Sequence, residues 1–152
     1  MNILVLNGPN LNLLGEREPE IYGTTTLDEI LERMHTRASA LGATLKTFQS
    51  NHEGAIIDKI HEERKWMDAM IMNPGALTHY SYALRDAIAS VKKRTIEVHL
   101  SDPSAREAFR RVSVFEGLHE VERIAGQGAR GYELALERLC GTDSNHSTPG
   151  SA

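Results

Sequence analysis

Arg17 and Tyr22 lie in one polar stretch, LNGPNLNLLGEREPEIYG, that follows the apolar run Ile3-Leu4-Val5-Leu6. A tyrosine at its ordinary pKa of about 10 is a poor base at neutral pH. An arginine held against a phenol oxygen favours the phenolate. The stretch therefore holds the parts of a tyrosinate base, although a solvated arginine beside a half-buried tyrosine fits the same residues. A second pair stands at Glu97-Val98-His99. Strand alternation puts Glu97 and His99 on one side. A carboxylate beside an imidazole orients it and favours its protonated form, which suits a proton donor. Plain hydrogen bonding explains that pair equally well. His79 follows another polar block, NPGALTH. Arg106 and Arg110 are four apart and would share a helix face, either to meet an anion or to be solvated. Asp86, in the polar turn of an apolar helix, says little by itself.

Other chemistries lack their residues. The first loop has no Gly-Lys-Ser/Thr ending and no GxGxxG, so neither a P-loop nor a dinucleotide fingerprint is present. No GxSxG nucleophile elbow occurs. The histidines do not form HExxH, and no metal ligand set is expected. His35, His61 and His119 read as surface or helix-face residues, and nothing near Cys140 suggests an activated thiol.

The elements that must position these groups follow from periodicity. Strands are predicted at Ile3–Leu6, Thr44–Phe48, Ala69–Met72, Thr95–Leu100 and, least clearly, Glu122–Gly126. Leu27, Ile30, Leu31, Met34, Ala38 and Leu41 make one helix face, opened by the capping-box pair Thr26 and Glu29 and closed by Gly42. Ser50 and Glu53 are expected to cap a second helix carrying Ile56, Ile57 and Ile60. A third is predicted over about 79–91 with Ala83, Leu84, Ala87, Ile88 and Val91 inward, then helical character over 104–112 and a last helix over 131–139. Alternating strands and helices imply a parallel sheet covered on both faces. Ligands of such sheets bind beyond the carboxyl ends of the strands. The polar blocks at 7–10, 50–53, 73–79 and 99–101 all fall there.

At 152 residues with 40% hydrophobic content, the chain suits one domain, expected over 1–140, followed by a polar tail at 141–152 expected to be disordered. One cysteine leaves no internal disulfide and fits a reducing, cytoplasmic setting. No apolar run approaches the roughly 20 residues that span a membrane. A net charge of -4 with scattered basic residues argues against nucleic acid as a partner.

The blocks LNGPNLNLLGEREPEIYG, FQSNHEG, NPGALTH, EVHLS, AREAFRRVS and GYELALE, in this order, resemble the type II 3-dehydroquinate dehydratases across nearly all of 2–139. The resemblance implies an α/β flavodoxin-like fold with a five-stranded parallel sheet in order 2-1-3-4-5. It implies a homo-oligomer, a dodecamer built from trimers, and no cofactor. The implied reaction is an anti elimination of water from 3-dehydroquinate through an enolate, giving 3-dehydroshikimate for the shikimate pathway. By matching motif positions, Tyr22 is the implied proton acceptor, tuned by Arg17, and His99 the proton donor, held by Glu97. Asn10 would help hold a water at the enolate. Asn73, His79 and Arg110 would contact substrate, the Leu100 and Ser101 N–H groups would receive its carboxylate, and Asp86 would reach a neighbouring subunit's pocket.

Two departures accompany the resemblance. Asp102-Pro103 stands where Asn and an aliphatic residue are common, so a backbone donor is lost at 103 and a negative charge is added near an anionic substrate. The segment FEGLHEVE, at 115–122, is more charged than the family tends to be. The competing reading is a non-catalytic flavodoxin-like domain that binds a small anion. A receiver domain would need acidic residues where Asn-Gly-Pro-Asn and Asn-Pro-Gly stand, and a flavin site would want aromatics in a chain with only 5%.

Overall fold

The N-terminal apolar run becomes β1 (Asn2–Asn7) and lies inside the sheet, with Ile3 to Leu6 inaccessible to solvent. In this computed structural model, which describes residues 1–141, β2 (Thr44–Gln49), β3 (Ala69–Asn73), β4 (Arg94–His99) and β5 (Val121–Ala125) complete a parallel sheet. Residues 142–152 of the expected tail lie outside the described residues. The strand order is β2-β1-β3-β4-β5, the order the resemblance implied. The chain reverses its winding between β1 and β3, which opens a crevice at their carboxyl ends.

Alternation along the strands divides the core in two. Ile3, Val5, Ile71, Ile96 and Val98 face α2 (Leu27–Leu41) and α5 (Arg130–Leu139). Leu4, Leu6, Met70 and Met72 face α3 (Glu53–Glu63) and α4 (Tyr82–Val91). Helices on both faces explain why β1 and β3 read as unbroken apolar runs. Each fully buried Ile, Leu or Met contributes roughly 1.5–3 kcal/mol against the entropy of ordering the chain. The arrangement is the three-layer flavodoxin-like sandwich.

Local signals explain most boundaries. Thr26 Oγ1 accepts from the Glu29 N–H at 3.2 Å, and Gly42 ends α2 with φ 72°. Ser50 does not cap α3. Its Oγ accepts from the His52 N–H at 3.0 Å, and the helix starts after His52 without a side-chain cap. The helix predicted from about 79 starts later. Gly75–His79 is a 3₁₀ turn, and Ser81 caps α4 by accepting from the Leu84 N–H at 3.1 Å. Ala83, expected inward, is exposed in the first turn, at the border of the stripe formed by Leu84, Ala87 and Ile88.

The helical character over 104–112 resolves into two 3₁₀ turns, Pro103–Ala105 and Ala108–Arg111, separated by extended backbone at Arg106. A short α1 (Pro19–Tyr22) interrupts the long first loop.

Candidate active site

The ends of β1 and β3 form the floor of a cavity, and their turns are packed too tightly for a side chain. The Gly8 N–H donates to the Asn73 carbonyl at 2.8 Å, and a Cβ on Gly8 would lie 2.5 Å from the Pro74 carbonyl oxygen. Asn-Gly-Pro-Asn is thus both a turn and a fitted neighbour of Asn73-Pro74-Gly75. Asn10 takes left-handed backbone, φ 68°, and its N–H donates to Asn51 Oδ1 at 2.9 Å. Gln49 Nε2 donates to that same oxygen and to the Gly8 carbonyl, each at 3.2 Å. The block after β2 therefore holds the first loop in place.

Asn7 and Asn73 are register partners, and their amides meet the phenol of Tyr132 from α5. The Tyr132 hydroxyl donates to Asn7 Oδ1 at 2.6 Å and accepts from Asn73 Nδ2 at 3.0 Å. Asn73 Oδ1 accepts from the Gly75 N–H at 3.1 Å. Burial pushes the Tyr132 phenol well up, so it stays neutral and can donate. This chain fixes which face of the Asn73 amide meets the cavity. Tyr132 and Asn7 were not singled out from sequence, and a core tyrosine within GYELALE carries no local signal of such a role.

Beside the floor, His99 Nε2 is 2.6 Å from Glu97 Oε1, as strand alternation anticipated. Thr78 Oγ1 donates to the same oxygen at 3.0 Å, and Arg123 reaches the carboxylate through Nη2 and Nε at 3.1 and 3.3 Å. Burial alone would raise the Glu97 carboxyl, but the bonds from His99 and Arg123 together hold it below the usual carboxylate range. The Glu97 contact leaves Nδ1 of His99 for other work. His79 Nδ1 lies 2.7 Å from the Val112 carbonyl and its ring meets Phe109 edge-on at 5.9 Å. Burial lowers the His79 imidazole below its ordinary value. A neutral ring with Nδ1–H donating to Val112 follows, which leaves Nε2 as an acceptor.

Tyr22 reaches the cavity from the end of α1. Its hydroxyl accepts from Arg106 Nη1 at 2.5 Å. The Arg17 guanidinium lies 5.3 Å from the centre of the Tyr22 ring and that of Arg106 lies 5.2 Å from it. Arg17 thus stacks against the ring, and Arg106 makes the bond to oxygen. The spacing of Arg106 and Arg110 suggested a shared helix face, whereas the two line one cavity from separate turns. Arg110 Nε donates to Glu107 Oε2 at 2.7 Å.

The wall above β4 is main chain. The carbonyls of His99 and Leu100 accept from the Gly126 and Gly128 N–H groups at 3.3 and 3.0 Å. In trans peptides the N–H groups of Leu100 and Ser101 then point away from those glycines. Both residues line the cavity. Asp102 is turned elsewhere, since its Oδ1 accepts from the Ser104 N–H at 3.0 Å and the Ser104 hydroxyl at 2.7 Å. Those two bonds lower its carboxyl. Its charge is therefore directed into a cap, and Pro103 is the neighbour that lines the cavity.

Of the residues singled out from sequence, Asn10, Arg17, Tyr22, Asn73, His79, His99, Leu100, Ser101 and Arg110 border one cavity, with Glu97 directly behind His99. Asp86 does not border it and is exposed on α4. Among the described residues, no three His, Cys, Asp or Glu side chains are grouped as metal donors would be.

Comparison with known proteins gives consistent matches. Residues 1–140 match the family model described as dehydroquinase class II. A 3-dehydroquinate dehydratase of Roseiflexus castenholzii is 57% identical over 93% of this chain and 90% of its own length. A catabolic 3-dehydroquinase of Emericella nidulans is 53% identical over 91% and 90%. The crystal structure of a type II dehydroquinase from Butyrivibrio crossotus superposes with TM-score 0.88 at 48% identity, covering 91% of this chain and 97% of that one.

Proposed function

This chain belongs to the class II dehydroquinase family, and we propose that it eliminates water from 3-dehydroquinate with Tyr22 as base and His99 as acid. The observation that carries the reading is a phenol hydrogen-bonded to one guanidinium and stacked on another, in the same cavity as an imidazole anchored to a buried carboxylate.

The steps follow from the substrate's chemistry. 3-Dehydroquinate carries a ketone, an acidic hydrogen alpha to it and a hydroxyl beta to it. Tyr22, as phenolate, takes the alpha hydrogen, and the bonding pair moves onto the ketone oxygen as an enolate. Arg106 and Arg17 meet the negative charge of the phenolate before that transfer. The oxygen pair then re-forms the carbonyl, the enolate's carbon–carbon pair shifts to join the alpha and beta carbons, and the beta carbon–oxygen bond breaks, its hydroxyl leaving as water with a proton from His99 Nδ1. The products are the conjugated ketone 3-dehydroshikimate and water. The proton gained by Tyr22 and the one lost by His99 balance, so one proton transfer resets the pair. Product of this class serves the shikimate pathway.

Glu97 holds the His99 ring through Nε2, which fixes the orientation of the ring and leaves Nδ1 to deliver the proton of the second step. In this reading Asn10 helps to hold a water at the enolate oxygen, and Asn73, His79 and Arg110 take the substrate hydroxyls and ring. The Leu100 and Ser101 N–H groups receive the carboxylate. Asp86 serves a neighbouring subunit's cavity. Its exposure on α4, outside its own chain's cavity, supports that role, as do the exposed Tyr80, Tyr82, Phe109 and Val112 near the same end of the molecule. The assembly proposed is a dodecamer of trimers, which a mass measurement in solution checks. A cytoplasmic setting fits the free Cys140 and the absence, among the described residues, of any helix long and apolar enough to cross a membrane.

The test is the rise in ultraviolet absorbance of the conjugated ketone when 3-dehydroquinate is added. Wild type should turn over, and Tyr22→Phe should lose about 100-fold or more in kcat, the scale of a lost acid–base catalyst. Equal rates for the two, or no rise with wild type, would overturn the reading.

A further inference from the structure

The charged segment that leads into β5 places one more cation at the site. Arg123 is the cross-strand Cα partner of Glu97 in the parallel β4–β5 pairing. Both side chains leave the sheet on the α3–α4 face, by the same alternation that puts Ile124 and Val98 on the other. The guanidinium spans from solvent, with its side chain 34% exposed, to a carboxylate whose side chain is 4% exposed. Glu97 Oε1 accepts three bonds, from His99 at 2.6 Å, Thr78 at 3.0 Å and Arg123 Nη2 at 3.1 Å. Among the described residues, Oε2 has only Arg123 Nε, at 3.3 Å.

We infer that Arg123 is a positioning residue for proton donation, acting on His99 through Glu97. The inference rests on the reading of His99 as the acid. Two consequences of the geometry support it. A planar guanidinium engaging both oxygens fixes the carboxylate in one orientation, so the oxygen aimed at His99 does not rotate away. The same guanidinium also shares the carboxylate's charge, so only part of it is left to hold the imidazolium. The other groups that face this pair are Thr78 and His79 from the Gly75–His79 turn, His79 in turn sensing Arg110 from the Ala108–Arg111 turn, and Asp102, whose carboxylate senses Arg123. Asp102 is exposed and bonded to Ser104, so its charge is screened by solvent, and Glu97 is the buried carboxylate on which Arg123 and His99 both draw.

The experiment is the pH profile of kcat for wild type, Arg123→Met, Arg123→Lys and His99→Ala, with urea unfolding of each. Arg123→Met should move the high-pH limb upward by roughly one pH unit, because the whole carboxylate then serves the imidazolium and a cation is gone. Arg123→Lys retains the charge and should leave the limb close to wild type. A limb that stays in place in Arg123→Met, with or without a loss of stability, overturns the inference and makes Arg123 a structural residue only. So does a limb that moves downward. The His99→Ala profile separates this failure from that of the underlying reading. If the limb survives in His99→Ala, His99 is not the donor and both fall. If it disappears there but is unmoved in Arg123→Met, only the role of Arg123 falls.

Discussion

Arg106 Nη1 donates to the Tyr22 hydroxyl at 2.5 Å, joining residues 84 positions apart. The contact closes the long first loop over the cavity and puts a permanent cation on the oxygen that carries negative charge in the proposed reaction. Arg106→Met should lower kcat by about 100-fold, the scale seen when one charge-stabilising donor is removed. Its fold should persist, because the side chain belongs to neither core cluster. Steady-state kinetics beside circular dichroism checks this; near-normal kcat would remove Arg106 from the machinery.

Acid should expose the part Glu97 plays in stability. The folded carboxyl is held below its ordinary value of 4.5. The folded state therefore binds fewer protons than the unfolded chain in that range. The resulting stabilisation is fully present above about 4.5 and is lost as pH falls through the lower, folded value. Glu97→Gln should be less stable than wild type at neutral pH, and the gap should close as the pH drops below 4.5. Urea unfolding at stepped pH measures the gap, and one that widened in acid would contradict the sign.

Tyr132→Phe retains the ring and deletes one hydroxyl. Asn7 Oδ1 and Asn73 Nδ2 then lose their shared partner in a site closed to water. The expected loss is about 1–3 kcal/mol of stability, the cost of stranded buried polar groups. KM should rise as well, because the Asn73 amide is no longer held. An unchanged urea midpoint would show that the network contributes nothing.

Asp102→Asn addresses the departure next to Leu100 and Ser101, the peptides proposed to receive the substrate carboxylate. The carboxylate is exposed and bonded to Ser104, away from the cavity lining. KM should stay within about a factor of two of wild type, since an exposed charge facing solvent is well screened. A marked fall in KM would mean that Asp102 does repel the substrate.

Much of the site was readable locally because it depends on local spacing. Two-residue alternation placed Glu97 and His99 on one side of β4, and they are found bonded there. The turn residues of Asn-Gly-Pro-Asn and Asn-Pro-Gly marked the strand ends that now touch. Helical character over 104–112 was misleading. Asp102 caps a short turn onto Ser104 and Arg106 is extended, so the two arginines arrive from separate turns rather than from one helix face.

By itself the amino-acid sequence determined the layers and faces of this protein, since apolar period and turn chemistry act between near neighbours, and it carried the motif order that marks the family. Only the tertiary structure decided the partners. Arg106 on Tyr22, Arg123 on Glu97 and Tyr132 between two asparagines are contacts across 84, 26, and 125 and 59 positions. Such pairs depend on which strands lie side by side and in what register, and no local spacing encodes that.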